Sequence, residues 1–196
     1  MDFASAYFAS QLFAHLNCFY FCGCLYTCRI EDTQNQWCLD LENALKRIRS
    51  VADYQFGKGS GLRLLPENVE ILHSKKTGRI RYVYLDGKRL ATLRPTDGLF
   101  SLSIEGARRI AESADSAKCF VTVQNDVSQF IAKGGDVFAV HIVSADSEIR
   151  SKDEVVVVDE RNKVLAIGRA VLSGDEMMAF KTGVAVKVRR GCMKES

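Results

Sequence analysis

Proline is almost missing from this chain: Pro66 and Pro95 are the only two in 196 residues. Neither lies beyond residue 118, so strand-like runs there can pair without meeting a residue that lacks a backbone donor. Histidine is nearly as scarce. His15, His73 and His141 are scattered, and no Ser-His-Asp or Cys-His arrangement for nucleophilic catalysis emerges from them. No G-x-x-x-x-G-K-[ST] stretch is present, which removes the P-loop phosphate cradle, although Gly57-Lys-Gly-Ser-Gly61 is glycine-rich. That segment reads as a connector carrying one lysine. Residues 3–28 hold no Lys, Arg, Asp or Glu, which raises the question of a membrane span or a signal peptide. No basic residue precedes the apolar run and Asp2 has the wrong sign for a signal peptide, while Ser5, Ser10, Gln11, His15, Asn17 and Thr27 dilute it as a span.

What the chain does hold is enough apolar residue, 47% of the total, for a proper core, and disorder is excluded. The formal net charge is only +3, but it is unevenly spread. Residues 1–40 carry one basic residue and four acidic ones, whereas residues 45–112 carry 14 basic against 7 acidic. That block is the candidate for meeting a polyanion. Cysteine is lopsided too: Cys18, Cys22, Cys24, Cys28 and Cys38 precede residue 40, with only Cys119 and Cys192 after it. A disulfide framework would need cysteines through the body, so a reducing cytoplasm is expected. Cys22-x-Cys24-x-x-x-Cys28 offers soft ligands. Its spacing is irregular and no second C-x-x-C knuckle accompanies it, so no metal and no cofactor are expected. Residues 1–38 are read as a leader of uncertain order, left open between a non-native extension from an upstream start, a metal-binding segment and an interfacial helix.

Beyond the leader the periodicity becomes regular. Leu41, Ala44, Leu45, Ile48 and Ala52 recur at helical spacing and predict an amphipathic helix over 40–53. Strand-like runs follow at 69–73, 80–85 and 89–94, parted by Thr77-Gly78 and Asp86-Gly87, the second a strong hairpin signal. Alternation along Arg79–Tyr84 predicts Ile80, Tyr82 and Tyr84 on a core face and Arg79, Arg81 and Val83 on a basic one. A short run at 99–102 and a helix over 104–111 close this part. Small polar residues over 112–118 read as a linker.

The second part reads as strands at 119–123, 137–143, 154–158, 164–172 and 184–188. A helix at 127–132 would be capped by Asn125-Asp126, and another at 175–180 by Ser173-Gly174. Many short strands with regular turns suggest a small barrel or closed sheet. Lys133-Gly134-Gly135-Asp136-Val137-Phe138 lies between helix and strand and joins backbone freedom to positive charge. A tight turn is its plain reading; a loop lying against a sugar-phosphate backbone is the functional one.

Several segments resemble a known family. Lys76-Thr-Gly-Arg-Ile-Arg81, Leu90-Ala-Thr-Leu-Arg94 and Asp97-Gly-Leu-Phe-Ser-Leu102 resemble the module that precedes the PUA domain in archaeal tRNA-guanine transglycosylase, the enzyme that begins archaeosine formation. Gly134–Ala139, Asp146–Arg150, Asp153–Val158, Ala166–Ala170 and Gly183–Arg189 resemble the PUA domain itself, an RNA-binding pseudo-barrel. The resemblance implies an α+β protein: the leader, a small α+β pre-PUA domain over 39–113, a PUA pseudo-barrel of mostly β strands over 118–191 and a tail over 192–196. It further implies that the Gly134-Gly135 loop meets a tRNA acceptor stem and its 3′ end.

Candidate RNA-binding residues are therefore Lys133, Gly134, Gly135, Asp136, Val137, Phe138, Arg169, Lys187 and Arg189, with Lys76, Arg79 and Arg81 from the first domain. Arg190 offers further charge. Adjacent residues on a strand point to opposite faces, so only one of Arg189 and Arg190 is expected beside the loop unless the strand ends early. Phe138 is a candidate to stack on an exposed base, with a core position as its alternative.

The family's catalytic barrel, with an aspartate nucleophile and a structural zinc, spans several hundred residues and has no room here. The expectation is a non-catalytic, cytoplasmic RNA-binding protein, an accessory module in tRNA modification with tRNA as its partner and no membrane. A subunit or fragment of a transglycosylase that supports base exchange by a separate catalytic chain is the alternative. Asp126, Asp146, Asp153 and Asp159 are the carboxylates an enzyme reading would need, and all fall in turn-like sequence.

Overall fold

Helix α1 (Ile30–Phe56) is the longest element of the computed structural model, which describes residues 30–112 and 117–194, with side chains from Asn43 to Met193. The leader's cysteine cluster and its membrane and signal readings lie outside the described residues. The predicted helix over 40–53 falls inside α1, and Leu45, Ile48, Ala52 and Phe56 are buried at the expected spacing. The glycine-rich stretch after it is more than a connector. Ser60–Leu64 forms a short helix, α2, and the Gly61 N–H donates to Asp53 Oδ1 at 2.7 Å.

An antiparallel meander of four strands follows: β1 (Glu70–His73), β2 (Ile80–Leu85), β3 (Lys88–Leu93) and β4 (Phe100–Leu102). The β2–β3 turn has positive φ at both Asp86 (50°) and Gly87 (75°), as an Asp-Gly hairpin turn demands. Helix α3 (Ile104–Ala111) packs beneath, its Ser103 side chain accepting from the Gly106 N–H at the N-cap. The expected faces of β2 are reversed. Val83 and Leu85 enter the core, whereas Ile80, Tyr82 and Tyr84 are half-buried on the other side. Tyrosine keeps its hydroxyl wet at such a position, and aliphatic residues with no polar atom take the dry face.

The second sheet has six strands in the order β6-β10-β9-β8-β5-β7. These are β5 (Phe120–Val123), β6 (Val137–Phe138), β7 (Ile142–Ala145), β8 (Glu154–Val158), β9 (Val164–Ala170) and β10 (Val184–Gly191). Helices α4 (Ser128–Ala132) and α5 (Gly174–Ala179) fill the ends. Ser173 caps α5 through a full capping box with Glu176, whereas no side-chain cap bond forms at the Asn125–Val127 turn. The predicted strand over 137–143 is broken by a 3-10 turn at Ala139–His141, which separates β6 and β7 to opposite edges of the sheet.

Strand β8 explains how the two parts join. All five of its residues are buried. Val155 and Val157 face the core of the second sheet together with Val121, Ile131 and Ala185. Val156 and Val158 face the other way and share one core with Leu45, Phe56, Leu64, Phe100 and Ile110. Each buried valine contributes about 1.5 to 3 kcal/mol, so an unbroken Val-Val-Val-Val run marks a strand with apolar neighbours on both faces. Residues 43–196 accordingly form one compact unit, with one core shared between the two sheets.

Candidate nucleic-acid interface

The opening loop is held from inside. At the end of α4 the Gly134 N–H donates to the Ile131 carbonyl at 2.8 Å and the Gly135 N–H to the Phe130 carbonyl at 3.1 Å. Those two amides terminate the helix and are spent on its carbonyls. Gly134 has φ 98°, a left-handed value that glycine takes without strain. Gly135 lies under the Phe130 ring so closely that a Cβ there would overlap it. Gly191, at the far end of β10, passes against the Ala132 carbonyl and the Gly134 nitrogen with no room for a side chain. Asp136 points back into the protein, its Oδ1 accepting from the Val188 N–H at 2.8 Å. Val137 is buried core, paired with Val186 of β10. Of the six loop residues proposed from sequence, Lys133 and Phe138 present exposed side chains, Phe138 at 42% exposure.

The same contacts re-aim β10. Its pairing with β9 runs Val188 to Gly168 and then Arg190 to Ile167, leaving Arg189 as the extra residue of a β-bulge. The bulge alters the expectation that Arg189 and Arg190 take opposite sides: both line one cleft. Arg189 pairs with the carboxylate of Glu154 and donates to the Leu102 carbonyl at 2.9 Å, thereby joining β10 to β8 and β4. Glu154 is only 2% exposed and also accepts from the Leu102 N–H at 3.0 Å. Burial pushes its carboxyl above the usual glutamate value, against the opposing pull of Arg189, the Leu102 amide, Arg94 and Arg169. Part of Arg189 is therefore structural, and its charge is largely answered by Glu154.

Two cavities flank Arg189. One, of about 470 Å³, lies between the sheets and collects Arg81, Arg89, Arg94, Arg189 and Arg190, with Tyr82 and Thr92. Arg81 sits 5.4 Å from the Tyr82 ring centre, and Tyr82 meets Tyr84 edge-on at 6.4 Å. Arg94 pairs with Asp97 at 3.1 Å, and its buried Nε has no hydrogen-bond partner, an omission worth about 1 to 3 kcal/mol. The other cavity, of about 550 Å³, is lined by Lys152, Arg169, Lys187 and Arg189 around Ala170, Val171 and Val188. Arg169 and Lys187 are direct cross-strand neighbours, and Glu154, opposite Arg169 on the other side, answers this like-charge contact only in part because it is shared with Arg189.

Arg79 lies with Arg81 and Arg94 around a smaller recess, and Lys76 is exposed in the β1–β2 turn. Arg89, Arg94 and Lys152 were not singled out from sequence as interface residues. The signal for both arginines was the basic excess of residues 45–112, to which Arg94 adds its place in the Leu90–Arg94 segment. Lys152, with φ 78°, had none.

Three of the four carboxylates that an enzyme reading would need accept from backbone amides. Asp146 accepts from the Phe120 N–H at 2.7 Å, Asp153 from the Arg150 N–H at 2.9 Å, and Asp159 from the Arg161 and Lys163 amides at 2.9 and 2.8 Å. Asp146 is raised above the ordinary aspartate value, chiefly by burial. Cys119 is buried, and desolvation, reinforced by Asp146 and Glu154, holds its thiol well above the ordinary cysteine range. A thiol kept protonated is a poor nucleophile. Among the described residues no helix is long and apolar enough to cross a membrane.

Two family models match successive stretches of the chain. Residues 46–116 match the patch-forming domain C2 of tRNA-guanine transglycosylase, and residues 120–192 match the PUA domain. The tRNA-guanine(15) transglycosylase of Pyrococcus furiosus is 47% identical over 150 residues, 76% of this chain and 25% of that protein. That of Methanobrevibacter smithii is 44% identical over 151 residues, 76% of this chain and 23% of that protein. The chain thus spans about a quarter of the length of these relatives and corresponds to their C-terminal region. Among solved structures, a conserved PUA domain protein from Thermoplasma acidophilum superposes with a TM-score of 0.58 at 25% identity, covering 79% of this chain and 92% of that one. A hypothetical protein from Pyrococcus horikoshii OT3 gives 0.62 at 25% identity over 78% and 92%. A patch-forming C2 domain followed by a PUA domain is the organisation of residues 46–192.

Proposed function

We propose that this pair of domains is a non-catalytic RNA-binding module that serves tRNA modification by holding a tRNA for a separate base-exchanging chain. The observation that carries this reading is the cationic surface of β9 and β10, where Arg169 and Lys187 stand side by side next to Lys152. Glu154, opposite Arg169 and shared with Arg189, offsets part of the cost of these neighbouring like charges, and a phosphate backbone would offset the rest. The names of the relatives supply the substrate class, tRNA. The match covers about a quarter of those proteins, and this reading gives residues 46–192 the task of holding the RNA rather than the base exchange.

The loop's role is to fix register. Lys133 supplies charge and Phe138 an exposed ring at its two ends, and the glycines between them are locked onto α4 and β10. A rigid edge of this kind suits the end of an acceptor stem, where an unpaired base can stack on Phe138. Gly135→Glu tests it. Phe130 is 59% exposed and can swing aside, so the variant should fold while placing a carboxylate where RNA would lie. Binding of a tRNA transcript, followed by fluorescence anisotropy, should weaken at least about 10-fold, a single unfavourable charge contact being worth about 1.4 kcal/mol or more. Unaltered affinity with an unaltered melting curve would remove the loop from the interface.

A further inference from the structure

We propose that the cleft between the two sheets is a second anion subsite, which holds consecutive phosphates of an RNA backbone and makes the first domain part of the same binding surface. The inference rests on the RNA-binding reading above and extends it from the PUA edge to a site built by both domains.

The argument is one of charge, chemistry and rigidity. Five guanidiniums line the cleft. Two carboxylates answer them, Glu154 on Arg189 and Asp97 on Arg94. Arg81, Arg89 and Arg190 have no carboxylate partner among the described residues, and Arg89 and Arg190 make no side-chain hydrogen bond there. Every cation in the cleft is arginine, the side chain whose planar fork takes two phosphate oxygens at once. A surface patch evolved only for solubility has no need of that geometry.

Three elements hold the forks in place. Strand β3 carries Arg89, with Arg94 one residue past its end, β2 carries Arg81, and the β10 bulge turns Arg189 and Arg190 to the same side. The bulge is pinned through Val188 by Asp136 of the opening loop, so loop and cleft share one mechanical support. Tyr82, beside Arg81, offers a ring at the cleft's edge for an unpaired base.

The test uses the full chain, a tRNA transcript and two double variants. Arg89→Gln with Arg190→Gln removes two unpaired cations from the cleft. Arg161→Gln with Lys163→Gln removes the same charge from the exposed β8–β9 turn, away from both cavities. Affinity is measured by anisotropy across a salt series. The cleft pair should lower the slope of log affinity against log salt by about 1 to 2, each phosphate contact contributing about 0.7 to 0.9, and the turn pair by less than half of that. Equal effects from both pairs, or none from the cleft pair, would overturn the subsite. Arg89→Lys with Arg190→Lys guards against a folding artefact: charge persists but the fork is lost, so affinity should fall several-fold with the slope preserved, and wild-type affinity would contradict fork recognition. If the cleft variants bind as wild type while Gly135→Glu does not, the PUA reading stands and this inference fails. If neither affects binding, the RNA reading itself fails.

Discussion

The opening loop and the interdomain cleft differ in where their polar groups are spent. In the loop, the Gly134 and Gly135 amides, the Asp136 carboxylate and the Val137 side chain are all committed to the protein, and two exposed side chains remain. In the cleft, five arginines meet two carboxylates. One region is satisfied and rigid, the other is unsatisfied and attracting. On the proposed RNA-binding reading they would divide the work of meeting a polyanion: the cleft and the neighbouring Arg169–Lys187 pair would supply affinity, and the loop position.

The largest effect should come from breaking the link between the two regions. Glu154→Ala leaves the buried Leu102 amide unsatisfied and removes the carboxylate that Arg189 pairs with, so chemical denaturation should show a loss of about 3 kcal/mol. A loss under 1 kcal/mol would mean that Arg189 is as free as its neighbours and that the cleft has no anchored wall. Next, Gly191→Ala forces a methyl group into the Ala132 carbonyl and the loop, an overpacking expected to cost about 1 to 3 kcal/mol. Loop amides should then exchange faster with solvent than those of β8; uniform exchange would deny the loop its special support. Asp136→Asn replaces a charged acceptor at the bulge by a neutral one. About 1 kcal/mol is expected, together with a weaker RNA affinity through Arg189 and Arg190, since Asp136 Oδ1 supports the bulge that carries them. Stability lost with affinity unaltered would separate loop from cleft.

The pH dependence probes the cleft side alone and is smaller. Glu154 is raised above the ordinary 4.5 by burial, so the folded protein holds that proton more tightly than the unfolded chain. Its contribution is fully present below 4.5 and declines as pH rises through the folded value. The stability margin of wild type over Glu154→Gln should therefore shrink between pH 4 and pH 7 in urea titrations. A margin that widens would show that Arg189 dominates over burial.

Much of this division was legible in the residues, and the parts that were not have physical reasons. Helical period placed Leu45, Ile48 and Ala52 in the core, and β2, α3 and β8 fall on the strand-like and helix-like runs at 80–85, 104–111 and 154–158. Alternation failed to choose the face of β2, because Tyr82 and Tyr84 count as apolar by pattern while their hydroxyls favour water. The Gly-Gly loop stood out by composition, but composition is blind to whether an amide points inward. The cleft was hidden for a different reason. Arg89 and Arg94 are far along the chain from Arg190 and converge with it only through a bulge and a shared core, neither of which leaves a local signature. The valine run of β8 was the one local sign that a second surface packs against the sheet.

The most direct measurement of the central claim is the affinity of the full chain for a tRNA transcript between 50 and 200 mM salt. With Lys152, Arg169, Lys187, Arg81, Arg89 and Arg190 each meeting a phosphate, affinity should fall about 1000-fold across that range. A fall of less than about 10-fold, or no binding at 50 mM, would contradict the account that this basic surface binds RNA.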